Sequence, residues 1–131
     1  MLINTGGPHE VNALQRAASV VLQKSLREGF GLTVTEGLWK ARPVIGGNAG
    51  GIPLQIEDGQ SGYLVTTVDE CIDRAVRLLR NPPAAAEMGR RGRETVRRKF
   101  LSTVNLRNYL ALFTELRDRH PPQHPRSASP R

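Results

Sequence analysis

Cysteine is nearly absent: Cys71 is the single one among 131 residues. One thiol excludes an internal disulfide and any metal site built from several cysteines. It fits a reducing, cytoplasmic setting. Aromatic residues are scarce, at 5%, and the interleaved basic and aromatic pattern of single-strand nucleic-acid binders is missing. No apolar run approaches the ~20 residues that a bilayer span needs, so no membrane association is expected. Residues 1–9 lack the basic and then apolar regions of a signal peptide. His120 and His124 have no carboxylate or cysteine partners around them, so no metal is expected. The length suits one small domain and excludes a two-domain enzyme with its own interdomain cleft.

What is abundant is arginine. The formal charge is +7, and residues 67–131 carry all of it, with fourteen Lys/Arg against seven Asp/Glu. A basic half raises a nucleic-acid reading. However, these arginines sit in helical stretches with an apolar stripe, which is the pattern of a solvated face.

The first half alternates short apolar runs with helical periodicity. Val11, Leu14, Ala17 and Ala18 make an amphipathic stripe over residues 9–18. Residues 19–23 are nearly all apolar, as in a strand buried on both faces. Residues 31–41 predict a helix that packs Trp39 and ends at Arg42-Pro43, because proline disfavours helix in the residue before it. Residues 43–46 and 63–65 predict two more strands, with a short helical piece over 52–57 between them. This order predicts an α/β fold with a parallel sheet. C-terminal helices follow. The first is capped by Thr67 and stopped by Asn81-Pro82-Pro83, and the next two span 84–100 and 102–119. Cys71 belongs to the packing stripe of the first. Residues 119–131 hold four prolines and no large apolar residue, and predict a disordered tail.

Three features sit close together. Glu28 and Glu36 are eight residues apart. Gly29 and Gly31 flank a helix start near Leu32 and Thr33. A glycine-dense turn, residues 46–51, follows the next strand. Such a cluster belongs at the carboxyl ends of parallel strands, where open α/β sheets bind ligands. Free amides at the helix start hold an anion, and Gly29 and Gly31 let a sugar or phosphate approach the backbone. Carboxylates accept hydrogen bonds from hydroxyl pairs, which suits a ribose or a hexose. Taken singly, Glu28 is an ordinary loop residue, Glu36 a solvated helix residue, and residues 46–51 a tight turn.

Taken together, the string Glu28-Gly29-Phe30-Gly31-Leu32, Glu36, Arg42-Pro43-Val44-Ile45-Gly46, Gly50-Gly51-Ile52-Pro53 and Glu57-Asp58-Gly59 resembles the C-terminal nucleotide-sugar domain of retaining glycosyltransferases of family 4, which have the GT-B fold. The resemblance covers about residues 9–115. Glu28 and Glu36 match the family's E-x7-E motif. Leu54-Gln55 stands where many members carry an acidic residue, and it resembles the trehalose synthase branch. The resemblance implies a partial Rossmann-like parallel sheet in residues 1–118. It implies that Glu36 binds the ribose and that Glu28, as the catalytic carboxylate, touches the transferred sugar. The amides around Gly29, Phe30, Gly31, Leu32 and Thr33 would face the sugar and diphosphate. The implied donor is ADP-glucose or UDP-glucose, the acceptor glucose, and no cofactor or metal is required. The family's other domain and its first C-terminal strands have no counterpart in these residues, nor does the basic pair that contacts the diphosphate. Lys24 and Arg27 lie nearby without matching that pair. The expectation is therefore a donor-domain fragment, inactive alone and open to self-association. Two other readings stand beside it: a non-catalytic nucleotide-sugar binding remnant and a basic nucleic-acid module.

Overall fold

The computed structural model describes residues 7–119. The predicted tail lies outside the described residues from His120 onward, and Arg119 closes the last helix. The chain divides into two compact units, Met1–Phe100 and Leu101–Arg131.

In the first unit a parallel three-stranded sheet has the order β1 (Val21–Gln23), β2 (Val44–Gly47), β3 (Tyr63–Val65). Val21 pairs with Val44, and Ile45 pairs with Tyr63. Helix α1 (Pro8–Ala17) precedes β1, α2 (Leu32–Trp39) links β1 to β2, and a single 3-10 turn, Ile52–Leu54, leads towards β3. Helices α3 (Val68–Arg80) and α4 (Pro82–Lys99) follow. This is the predicted partial Rossmann-like α/β fold.

Alternate side chains of each strand face opposite sides of the sheet, so β2 feeds two cores. Val44 packs with Val21, Val34, Leu38, Ile52, Ile56 and Val96. Ile45 packs with Tyr63, Val65, Leu78, Ala85 and Met88, and Cys71 lies against this second cluster, as its helical stripe predicts. All four residues of β2 are buried. The prediction for the first strand needs correction, because Leu22 is 53% exposed. β1 is an edge strand, and only its Val21 face is covered.

Two helix boundaries and the buried face of one helix differ from the periodicity. α2 stops at Trp39, because Ala41 adopts a left-handed conformation at φ 56°. Trp39 is not in the core: it is 40% exposed, with the Arg93 guanidinium 5.0 Å from its ring centroid. α4 starts at Pro82, where the Asn81 side chain accepts from the Ala84 amide at 3.2 Å. Asn81-Pro82-Pro83 therefore ends one helix and opens the next, since proline suits a helix's first turn. In α1 the periodic stripe points outward: Val11 is 43% and Leu14 69% exposed, while Gln15 is buried.

Thr67 caps α3 as predicted, accepting from the Glu70 amide at 3.1 Å. Glu70 accepts from the Thr66 and Thr67 amides in return, and these bonds hold its carboxyl below the usual range. Four basic residues of α4 pair along their own helix, Arg90 and Arg91 with Glu87, and Arg97 and Arg98 with Glu94. Lys99 bonds Glu57 at 2.8 Å, which holds the Glu57 carboxyl below its usual range.

The second unit contains α5 (Ser102–Arg119), as predicted. Its stripe residues Leu106, Tyr109, Leu110, Phe113 and Leu116 are exposed. The Tyr109 and Phe113 rings stack at 6.3 Å. No helix among the described residues is long and apolar enough to cross a membrane.

Two glycines let α4 approach the end of α2. A Cβ on Gly89 would lie 2.1 Å from the Ala41 carbonyl oxygen, and one on Gly92 would lie 2.6 Å from Leu38 Cδ2. Alanine favours a helix over glycine by about 1 kcal/mol, yet here steric conflict with rigid backbone dominates. Gly89→Ala is expected to lower stability by about 1–3 kcal/mol. A urea denaturation midpoint that rises instead would show that this close approach does not hold α4.

Candidate functional site

The loop after β1 carries the first half of the predicted site. Gln23, the last residue of β1, donates from Nε2 to Glu28 Oε2 at 3.0 Å. Ser25 Oγ donates to the same oxygen at 3.1 Å. The Gly29 amide donates to Glu28 Oε1 at 3.1 Å. Half-buried Glu28 is thus held by three donors on a short loop. Lys24 is tied across the sheet, its Nζ donating to the Thr66 carbonyl at 2.9 Å.

The glycine-dense turn has a different task from an open phosphate cradle. A Cβ on Gly47 would come 2.7 Å from the Ser25 carbonyl oxygen, and one on Gly50 would come 1.8 Å from that of Glu28. The Gly51 amide donates to the Gly29 carbonyl at 2.6 Å. The turn and the Glu28 loop lie backbone against backbone, with no room for side chains between them.

The two flanking glycines also separate. A Cβ on Gly29 would meet open space, which leaves its backbone approachable. Gly31 has φ +83°, and a Cβ there would stand 3.0 Å from Ile52 Cγ1. At Gly31 the missing Cβ serves the left-handed turn into α2 and the packing on Ile52. Beyond it, exposed Leu32 and half-buried Thr33 open α2, and the first intrahelical bond runs from the Val34 amide to the Gly31 carbonyl. Amides in such a first turn, with the helix dipole behind them, suit an anion. The Phe30 ring meets Phe100 edge-on at 5.7 Å and stays 41% exposed.

Fully buried Gln55 supports this loop from below. Its amide nitrogen donates to the Phe30 carbonyl and, at 3.5 Å, to those of Gly31 and Gly51. Its oxygen accepts from the Thr35 hydroxyl. One side chain therefore links the glycine turn, the loop and α2.

Glu36, in the second turn of α2, is exposed. It lines an open cleft of about 510 Å³ with Pro8, Val11, Asn12, Gln15 and Lys40. Gln15 Nε2 donates to Glu36 Oε2 at 3.0 Å, and Lys40 Nζ donates to Gln15 Oε1 at 2.6 Å. The two carboxylates thus belong to separate hydrogen-bond networks, one on each side of the α2 start. The cleft beside Glu36 does not include Glu28. A second cleft, about 400 Å³, includes Ser19, Arg42 and Pro43 before the strands and contains none of the predicted site residues. Among the described residues no three His, Cys, Asp or Glu side chains form a metal-holding group.

Sequence reasoning missed Gln15, Gln23, Ser25 and Lys40. Gln23 and Ser25 lie within five residues of Glu28 in the string. Gln15 is 21 residues from Glu36, with no local signal to mark it.

The family described as glycosyl transferases group 1 matches residues 1–95, and the chain belongs to it. Its relatives include trehalose synthases. That of Pyrococcus horikoshii is 48% identical over 118 residues, covering 88% of this chain and 28% of that protein. That of Rubrobacter xylanophilus is 54% identical over 110 residues, covering 84% and 26%. The chain thus spans less than a third of the length of the trehalose synthases it matches. Sucrose-phosphate synthase from Thermosynechococcus elongatus superposes with a TM-score of 0.73 at 28% identity, over 85% of this chain and 29% of that one. Anabaena HepE, solved with UDP and glucose, superposes at 0.69 over 80% of this chain and 30% of that one. At 22% identity it supports the fold alone.

Gln55→Leu keeps the volume and removes every polar partner. It leaves the Phe30 carbonyl and Thr35 hydroxyl without their bonds, and stability is expected to fall by about 1–3 kcal/mol. Differential scanning calorimetry checks this, and an unchanged melting temperature would show that the loop does not depend on Gln55.

Proposed function

We propose that these residues form the donor half of a trehalose synthase-like glycosyltransferase site. The donor is a nucleoside diphosphate glucose, UDP-glucose or ADP-glucose, and glucose is the acceptor. In the reaction the bond from the donor's anomeric carbon to the diphosphate breaks. A bond to an acceptor hydroxyl forms on the same face, so configuration is retained, and the hydroxyl gives up its proton.

The observation that carries this reading is the placement of two restrained carboxylates on either side of one helix start. Glu28 precedes α2 and is held by Gln23, Ser25 and the Gly29 amide. Its role is to accept from hydroxyls of the glucosyl group. Glu36 lies one turn into α2 beside an open cleft. Its role is to accept from the ribose hydroxyls. Between them Gly29, Phe30, Gly31, Leu32 and Thr33 offer the backbone that faces the diphosphate. Fixed amides and a helix dipole stabilise the charge that develops on the leaving group, with no reorganisation during reaction. The identity with trehalose synthases favours this chemistry over other members of the family.

The acceptor contacts are assigned to the remaining length of such proteins, since the matched region is 28% of the Pyrococcus horikoshii relative. Holding donor and acceptor in reacting geometry is worth up to ~7–11 kcal/mol. These 131 residues by themselves therefore bind donor without transferring it.

Calorimetric titration separates the two carboxylates. Glu36→Ala is expected to weaken UDP or ADP binding by about 1.5–3 kcal/mol, the loss of a charged hydrogen bond. Glu28→Ala is expected to weaken UDP-glucose binding about tenfold while leaving UDP nearly unchanged. Equal losses for UDP and UDP-glucose in Glu28→Ala would misplace its contact, and unchanged UDP and ADP binding in Glu36→Ala would remove the ribose role. A separate assay addresses transfer. Incubating the 131-residue chain with UDP-glucose or ADP-glucose and glucose should yield no trehalose by chromatography. Product above a host-enzyme-free control would require an acceptor site within these residues.

A further inference from the structure

We infer that Gln15 is a positioning residue for Glu36, locked in place by Lys40, and that it sets which oxygen of Glu36 meets the nucleotide's ribose. This rests on the reading of Glu36 as the ribose contact.

Gln15 is the one buried residue of α1, at 7% exposure, in a helix whose apolar side chains face outward. Burying an amide without partners is costly, and here both ends are used. Nε2 donates to Glu36 Oε2 at 3.0 Å. Oε1 accepts from Lys40 Nζ at 2.6 Å. Turning the amide over would face its NH2 group to the ammonium and its oxygen to the carboxylate, so the orientation is determined by charge at both ends.

Lys40 also donates to the Glu36 backbone carbonyl at 3.5 Å. That bond spans one turn of α2 and fixes the ammonium against the same residue whose carboxylate Gln15 holds. The ammonium thus acts on the carboxylate through a neutral amide. A direct Lys–Glu pair would occupy the carboxylate and compete with ligand hydroxyls. The amide bridge instead restrains one oxygen. Among the described residues Glu36 Oε1 has no protein partner, and Glu36 is exposed on the cleft that Gln15 and Lys40 line. The arrangement leaves one carboxylate oxygen fixed in direction and available to a hydroxyl.

The test uses titration of the 131-residue chain with UDP and ADP, each beside its 2′,3′-dideoxy analogue. Gln15→Leu preserves size and removes both bonds. It is expected to raise the dissociation constants of UDP and ADP about three- to tenfold, the weight of one hydrogen bond. Binding of the dideoxy analogues should not change, because they lack the hydroxyls concerned. Lys40→Met should show the same ribose-dependent loss. The double variant should lose no more than Gln15→Leu alone, since both act through one bridge. If Gln15→Leu does not fold, Lys40→Met carries the test unaided.

A loss of equal size for ribose and dideoxy ligands would reveal a merely structural role and overturn the inference. So would unchanged UDP and ADP binding in a folded Gln15→Leu protein. Glu36→Ala, run in parallel, distinguishes the two levels. If Glu36→Ala shows the ribose-dependent loss and Gln15→Leu does not, the positioning role alone fails. If Glu36→Ala shows none, or the unaltered chain binds neither nucleotide, the ribose reading itself fails.

Discussion

The carboxyl end of this sheet depends on one steric constraint: the glycine-dense stretch from Gly47, the last residue of β2, to Gly51 and the Glu28 loop after β1 touch through their backbones. Gly47, Gly50 and Gly51 have no space for a Cβ against Ser25, Glu28 and Gly29. The contact is a packing surface made of peptide groups, sealed by the bond from the Gly51 amide to the Gly29 carbonyl. The contact ties the backbone of the loop at Ser25, Glu28 and Gly29 to the turn. Gln55 extends the same support to Phe30 and α2 from the other side.

On that platform the two carboxylates are treated alike. Each is restrained by a glutamine from a neighbouring element, Gln23 for Glu28 and Gln15 for Glu36. A neutral amide orients a carboxylate without neutralising it, so its capacity to accept further hydrogen bonds is retained.

The frame below follows from β2, buried on both faces, and from α4, which enters both cores. Gly89 and Gly92 bring α4 against the end of α2, and Ala41 takes a left-handed conformation beside that contact. β1 is covered less completely than β3, the other edge strand: Leu22 faces outward, whereas Tyr63 and Val65 are buried.

The sequence by itself determined the order of strands and helices and the parallel sheet. Those rest on local patterns: short apolar runs, helical periodicity and the Thr67 cap. It also carried the family, because the motif segments lie close together, between Glu28 and Gly59. Tertiary structure decided what each residue of those segments is for. At Gly31 and in residues 46–51 the missing side chains make room for neighbouring protein, which local sequence does not reveal. Gln15 sat unnoticed within an apolar stripe, and the helix turned that stripe outward and buried the glutamine. Periodicity reports that a helix has two faces. Only the packing of α1 beside α2 reveals which face is inside and that Glu36, 21 residues away, is what it meets.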